Sequence, residues 1–210
     1  MKSIMISIKP EYVCKILNKE KLLEIRKSFP KCILNGEECL VEIYCTKDRH
    51  LACVVNNNGA ELFTCCNSET AFVSGGYLAN GKIVAEFTLK TITEHKKNYI
   101  DVEDNLCYNF LSEDVKKAGF VTSDMDDWQK LDGLCKFDNF VNDYGNDKPL
   151  YAWHIDDLKI YDKPKELSDF VVPATFEDND YGLVDENNNF TYWKRVQRAP
   201  QSWCYVEGEK

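Results

Sequence analysis

The stretch Ser7 to Lys27, SIKPEYVCKILNKEKLLEIRK, gathers the side chains best suited to binding or proton chemistry. Proline fits the first position of a helix, so Pro10 predicts one running to about Asn18, with Val13, Ile16 and Leu17 as its buried stripe. The unpaired N–H groups at such a start carry the positive end of the helix dipole, and Lys9 beside them would help to hold a phosphate or carboxylate. A strand over Leu22 to Lys27 follows, with Leu23 and Ile25 on one face and Glu24 and Arg26 on the other. Lys21 lies in the turn before the alternation is set, so it can turn to the Glu24 and Arg26 side. Lys21, Glu24 and Arg26 then line one cleft, Arg26 as a bidentate fork for phosphate or a base edge and Glu24 as acceptor for an exocyclic amine. The plainer alternative is a Glu–Arg pair on the exposed face of a strand, worth little energetically.

Two further segments combine rings and charges. Trp153 offers a stacking surface and His154 a proton carrier near neutral pH, although strand alternation separates them, and a buried, satisfied His154 is the expected role. Phe190 to Arg198, FTYWKRVQR, mixes aromatics with Lys194, Arg195 and Arg198, the combination that stacks bases and neutralises phosphates, or else makes an amphipathic hairpin packed on the sheet. Gly75-Gly76 lacks the other residues of a phosphate-cradling loop, and no H-E-x-x-H, G-x-S-x-G or Walker pattern is present. None of the 10 cysteines forms a C-x-x-C, and the adjacent Cys65-Cys66 are poorly placed to ligate one ion, so no metal or cofactor is expected.

The elements that must position these groups are mostly strands. Ile4 to Ile8, Leu40 to Cys45, Lys82 to Thr93, Tyr151 to Tyr161 and Ser202 to Val206 carry β-branched and aromatic or alternating patterns. Two hairpins look inserted, LACVV and AELFT around Asn56 to Gly59, and YGLV and FTYWKRV around Asp185 to Asn189. Short helices are predicted after a Ser112 cap, from a Ser123 cap to Leu131, and around Phe137, Phe140 and Val141 up to Gly145. Strands scattered among helices without a βαβ rhythm imply α+β, with a closed or partly closed barrel and short helices at its ends. No repeat or linker divides the 210 residues, so a single domain over 1–210 is expected, with insertions at about 46–80 and 171–198.

Composition bounds the function. The formal net charge of −9 excludes a protein that grips polyphosphate with its whole surface. The charge is uneven, however: residues 1–31 hold eight basic side chains against three acidic, and residues 101–189 hold 22 acidic against eight basic. One attractive face for an anion, with an acidic remainder that repels non-specific polymer, fits this polarity, as does a solvated surface of biased composition. The opening MKSIMISIKP is too short for a signal core, and no 18-residue apolar run exists, so a cytoplasmic protein away from the membrane, with reduced thiols, is expected.

The motif Ile16-Leu17, the turn Asn18 to Lys21 and Glu24-Ile25-Arg26 resembles the opening of the ASCH domain family, a branch of the PUA-like superfamily that often begins with strand, helix, I-L-x-G-x-K turn and E-x-R strand. Lys19 stands where that family often has glycine. GKIVAEFTL (Gly81 to Leu89), YAWHIDDLKIYDKPKEL (Tyr151 to Leu167) and APQSWCYV (Ala199 to Val206) are similar to later strands of uncharacterised bacterial and phage-associated members. The resemblance implies a PUA-like β-barrel that binds RNA or a nucleotide-like ligand beside its N-terminal helix, with Lys9, Lys21, Glu24 and Arg26 as first contacts; Trp153, Lys194 and Arg195, from the ring-and-charge segments above, are further candidate contacts. One bacterial branch hydrolyses N4-acetylcytidine with a lysine, a threonine and a glutamate. Carried over, the lysine is Lys21, Glu24 takes the threonine's place and Glu86 is the candidate glutamate, which implies as an alternative an amidohydrolase-like enzyme lacking the acylated hydroxyl. A phage-related protein-interaction module, its acidic half meeting a basic partner, is a third alternative.

Overall fold

The computed structural model describes residues 2–64, 76–100, 106–174, 181–184 and 190–208. The Asp185 to Asn189 turn, Gly75 and the Cys65-Cys66 pair lie outside the described residues. The chain divides into two compact units, a larger one of Met1–Leu17, Glu38–Thr88 and Asp157–Lys210 and a smaller one of Asn18–Glu37 and Leu89–Asp156.

The larger unit is organised on β1 (Lys2–Ile8), whose last five residues, four apolar and Ser7, are all buried, as expected of a strand covered on both faces. It pairs in parallel with β3 (Cys39–Cys45) and antiparallel with β16 (Trp203–Gly208), so that Met5 lies opposite Glu42 and Cys204. Beyond β3 come β7 (Ile83–Leu89) and β12 (Asp156–Lys165), and beyond β16 come β13 (Phe170–Ala174), β15 (Phe190–Arg195) and β14 (Tyr181–Val184). Among the described residues this eight-stranded sheet has two ends, β12 and β14, and is not closed, where a closed or partly closed barrel was the expectation. A core of Met5, Tyr44, Ile83, Phe170, Val196 and Val206 forms in this unit.

The first expected hairpin is present as β4 (Leu51–Asn56) and β5 (Gly59–Thr64), with β6 (Tyr77–Leu78) on the other side of β4. Gly59 closes its turn at φ 130°, a value an L side chain rarely takes. Helix α1 (Pro10–Leu17) packs on β4 and β5 and buries Val13, Ile16 and Leu17, the stripe its spacing predicts, together with Pro10.

In the smaller unit β11 (Leu150–His154) lies between antiparallel β2 (Leu23–Arg26) and β8 (Ile92–His95). A hairpin of β9 (Lys97–Ile100) and β10 (Leu106–Tyr108), helix α2 (Ser112–Lys117) and helix α3 (Asp127–Gly145) complete it. Leu23, Ile25, Leu150 and Ala152 share a core with Tyr108, Val115, Phe137 and Val141.

Several expectations change at this level. The single strand expected over Lys82 to Thr93 is two, β7 and β8, each in a different unit. Ser112 is the first helical residue rather than the cap: the Leu111 backbone N–H donates to Asp114 Oδ2 at 2.9 Å. Ser123 does not cap α3 either, because Asp126 and Gln129 cap it reciprocally at 2.8 and 2.9 Å. The two helices expected between Ser123 and Gly145 are one helix of 19 residues running through Gly133. A Cβ there would sit 2.4 Å from the Phe120 carbonyl oxygen, so glycine is what permits the close approach. The thiols are not all reduced, since buried Cys32 and Cys39 are disulfide-bonded, while Cys14, Cys45, Cys53, Cys107, Cys135 and Cys204 are free thiols.

Candidate nucleic-acid interface

In the smaller unit, the turn that ends α1's sequence places Lys19 in the left-handed region at φ 60°, a conformation in which glycine is the less strained residue. Lys21 follows and turns as anticipated. Its Nζ donates to the Leu23 carbonyl at 2.6 Å and the Ala118 carbonyl at 3.4 Å, and lies 3.4 Å from Glu24 Oε2. Glu24 Oε1 in turn meets Arg26 Nε at 3.0 Å. The three charged groups predicted to converge do so, but as a buried network: Lys21, Glu24 and Arg26 are 4%, 8% and 8% exposed. The strand bearing Glu24 and Arg26 is buried along its whole length, so neither the open cleft nor the alternative of an exposed pair describes them. Glu24 lies opposite Trp153 and Arg26 opposite Tyr151 across the β2–β11 ladder. Trp153 is fully buried, so its ring is packing rather than an open stacking platform. His154 is half-buried with Nε2 3.0 Å from the Thr93 hydroxyl, and burial holds its pKa below the usual histidine value.

Lys9, Glu86, Lys194 and Arg195 belong to the larger unit. Lys9 is exposed at the end of β1, immediately before Pro10. Because Ile8 lies opposite Cys45 in the parallel ladder and its carbonyl accepts from the Thr46 N–H at 2.8 Å, the loop Lys47-Asp48 leaves the sheet at the same end. The His50 and Leu51 backbone N–H groups hold the Asp48 carboxyl below its usual range, with smaller contributions from the His50 and Lys9 charges.

A cavity of about 860 Å³ lies in this unit, lined by Tyr44, Lys47, Gly81, Glu166, Leu167, Ser168 and the run Arg195-Val196-Gln197. A second, of about 460 Å³, shares that run and adds Val172, Lys194, Arg198, Pro200 and Cys204. Together they present four cationic side chains, Lys47, Lys194, Arg195 and Arg198, against one carboxylate, Glu166, which is paired with Lys82. Arg195 to Gln197, from the Phe190 to Arg198 segment singled out in the sequence, therefore line both cavities, and Lys194 and Arg198 line the second. Lys47 and Tyr44 were missed; the signal was a cluster of charged residues directly after a strand end. Burial raises the Tyr44 pKa, so its hydroxyl stays a neutral donor over the physiological range.

Glu86 has company that the sequence did not suggest. Its Oε2 lies 2.6 Å from the Tyr161 hydroxyl and its Oε1 3.1 Å from Lys159 Nζ, while the same hydroxyl lies 2.7 Å from Glu42 Oε2. The period-2 run Lys159, Tyr161, Lys163, Lys165 was the available sign of a charged strand face. Among the described residues no group of three or more His, Cys, Asp and Glu is placed to hold a metal ion, and no helix is long and apolar enough to cross a membrane.

No protein-family model matches the sequence, and no curated protein matches it. Among solved structures the chain is similar to the ASCH protein of Zymomonas mobilis, at 15% identity and a TM-score of 0.47, covering 98% of this chain and 88% of that one. A tyrosine-to-phenylalanine variant of that protein matches at 13% identity and a TM-score of 0.46, covering 99% and 91%. A serine-to-alanine variant does so at 13% and 0.46, covering 98% and 89%.

Proposed function

We propose that this chain is an RNA- or nucleotide-binding module of the ASCH, PUA-like kind, and that the adjoining cavities of its larger unit are where the ligand's phosphates are held. The observation that carries this reading is the concentration of Lys47, Lys194, Arg195 and Arg198 around two hollows that share the Arg195-Val196-Gln197 lining, on a chain of net charge −9. Phosphate affinity comes from clustered cations, and a local cluster on an acidic protein favours a defined ligand over polymer at large. Lys9 adds a further positive charge at the Lys47 end of the sheet. In this reading Lys21, Glu24 and Arg26 support the fold of the smaller unit instead of forming the first contacts.

Anisotropy titration of a labelled single-stranded oligoribonucleotide against salt tests the proposal. Affinity should fall with rising salt, and Arg195→Ala should weaken binding and lower the slope of log affinity against log salt by about one. Absence of affinity at low salt would remove the reading. Loss on Arg26→Ala in a folded protein, with Arg195→Ala silent, would return the interface to the Lys21–Glu24–Arg26 network.

A second reading is hydrolysis of a modified nucleoside, and the contact that favours it is the buried Lys21–Glu24 pair. Incubation with N4-acetylcytidine, comparing wild type with Lys21→Ala, decides it: turnover that survives the substitution clears Lys21 of the role.

A further inference from the structure

The Tyr161 hydroxyl has one hydrogen to give and three partners at short range. Glu42 Oε2 lies at 2.7 Å, Glu86 Oε2 at 2.6 Å and Lys165 Nζ at 2.7 Å. Lys165 can donate to the phenolic oxygen, and the phenol can donate to one carboxylate. The remaining oxygen-to-oxygen contact then has no hydrogen in it unless the second carboxyl is itself protonated. Two anionic oxygens this close on one hydroxyl would leave one of them repelled and without a donor, and separations of 2.6–2.7 Å are those of charge-assisted O–H···O bonds. The two carboxyls are not equivalent. Glu42 is 3% exposed and receives Lys165 Nζ only at 3.2 Å, whereas Glu86 is partly open to solvent and is also met by Lys159. The neutral form belongs where water is least available, on Glu42, and the ionised form on Glu86.

Other groups agree. Burial pushes the Glu42 carboxyl above the usual range despite Tyr161 and Lys165, while at Glu86 burial is outweighed by the hydrogen bonds of Tyr161 and Lys159, which hold it below that range. Lys165 also sits over the Tyr161 ring at 3.9 Å and the Phe170 ring at 5.3 Å, which fixes its ammonium beside the phenol. The charged or titratable groups described around the hydroxyl are Glu42 from β3, Glu86 from β7, and Lys159 and Lys165 from β12 itself. Tyr77 of β6 reaches the Tyr161 carbonyl instead, at 2.8 Å.

We propose that Tyr161 carries a shared-proton lock, in which Glu42 is kept as a carboxylic acid at neutral pH, donates to the Tyr161 oxygen and ties the terminal strand β12 across β7 to β3. Loss of that proton leaves two carboxylates on one hydroxyl, and the lock opens. The device is therefore sensitive to alkali: a carboxyl protonated more readily in the folded than in the unfolded chain stabilises the fold below its unfolded pKa, and that contribution disappears as the pH rises through its folded pKa.

The test uses the whole chain with ¹³C-labelled glutamate carboxyls, read by infrared or carbon NMR. A protonated carboxyl signal should persist in wild type at pH 7 and disappear in Glu42→Gln. It should also disappear in Glu86→Gln, because Tyr161 then has only one anionic acceptor to serve and Glu42 ionises. Absence of the signal in wild type, or its survival in Glu42→Gln, would overturn the assignment; survival in Glu86→Gln would show burial alone holding the proton and would overturn the sharing. Amide protection over 157–165, corrected for intrinsic exchange, should fall with rising pH by up to about tenfold per unit across the window. In Glu42→Gln, whose amide donates without titrating, protection should stay flat; equal slopes in the two proteins would refute the lock.

Discussion

The two units bury charge in opposite ways. In the smaller unit Lys21 and Arg26 flank one carboxylate, Glu24, and the surplus positive charge is met by backbone carbonyls at Leu23 and Ala118. In the larger unit two carboxyls crowd one phenol, with the lysines at the rim. The first arrangement is closed by opposite charge. The second can be closed only by a proton, so it carries a titration inside the fold. A buried network need not announce a ligand: the cluster that looks most like a site in the sequence is the more self-contained of the two.

The sharpest way to break the comparison is Glu24→Ala, which leaves Lys21 and Arg26 buried without their carboxylate and should destabilise the smaller unit by about 3–5 kcal/mol. Faster amide exchange over 18–37 and 89–156 than in the larger unit would report it, and uniform exchange would show that the units unfold as one. Gly133→Ala should follow, at about 1–3 kcal/mol, because its Cβ would collide with the Phe120 carbonyl at 2.4 Å and Val121 Cγ2 at 2.9 Å. Denaturant midpoints measure that cost.

Acid sharpens the contrast next. His95 stacks on Phe110 with ring centroids 3.7 Å apart, its Nε2 buried without a hydrogen-bond partner, and burial lowers its pKa as it does that of His154. A histidine with a lowered folded pKa gives stability that is complete above the usual value of 6.5 and is lost as the pH falls through its folded value. The smaller unit should therefore loosen in acid, the condition that favours the Tyr161 array, and exchange measured unit by unit against pH checks the crossing. The smallest effect expected is Lys136→Ala, which removes an exposed i,i+4 pair with Asp132 and should shift thermal stability by no more than about 0.5 kcal/mol.

Local physics made much of this legible in advance. The β-branched runs became strands, the Asn56 to Gly59 turn became a hairpin, and period 2 together with the preceding turn brought Lys21, Glu24 and Arg26 to one side. What sequence could not show was how those side chains would be covered, because burial of Glu24 depends on Trp153 across a ladder to a strand far along the chain. Tyr161 escaped notice for the same reason: Glu42 and Glu86 are 119 and 75 residues away. Cap residues misled at Ser112 and Ser123 because nearby aspartates, Asp114 and Asp126, make the capping bonds instead. Gly133 reads as a helix breaker until the neighbouring backbone it must admit is known.

Strand β12 closes one end of the described eight-stranded sheet with Pro164 in it and with Lys159, Lys163 and Lys165 spaced along one face. A proline removes a donor from an outer edge and lysines resist burial against a second chain, so this border is poorly suited to templating another copy. Two of those lysines, Lys159 and Lys165, also pair with Glu86 and Glu42 of the strand's own sheet, so the charges that make the border unattractive to strangers help to hold the terminal strand in place.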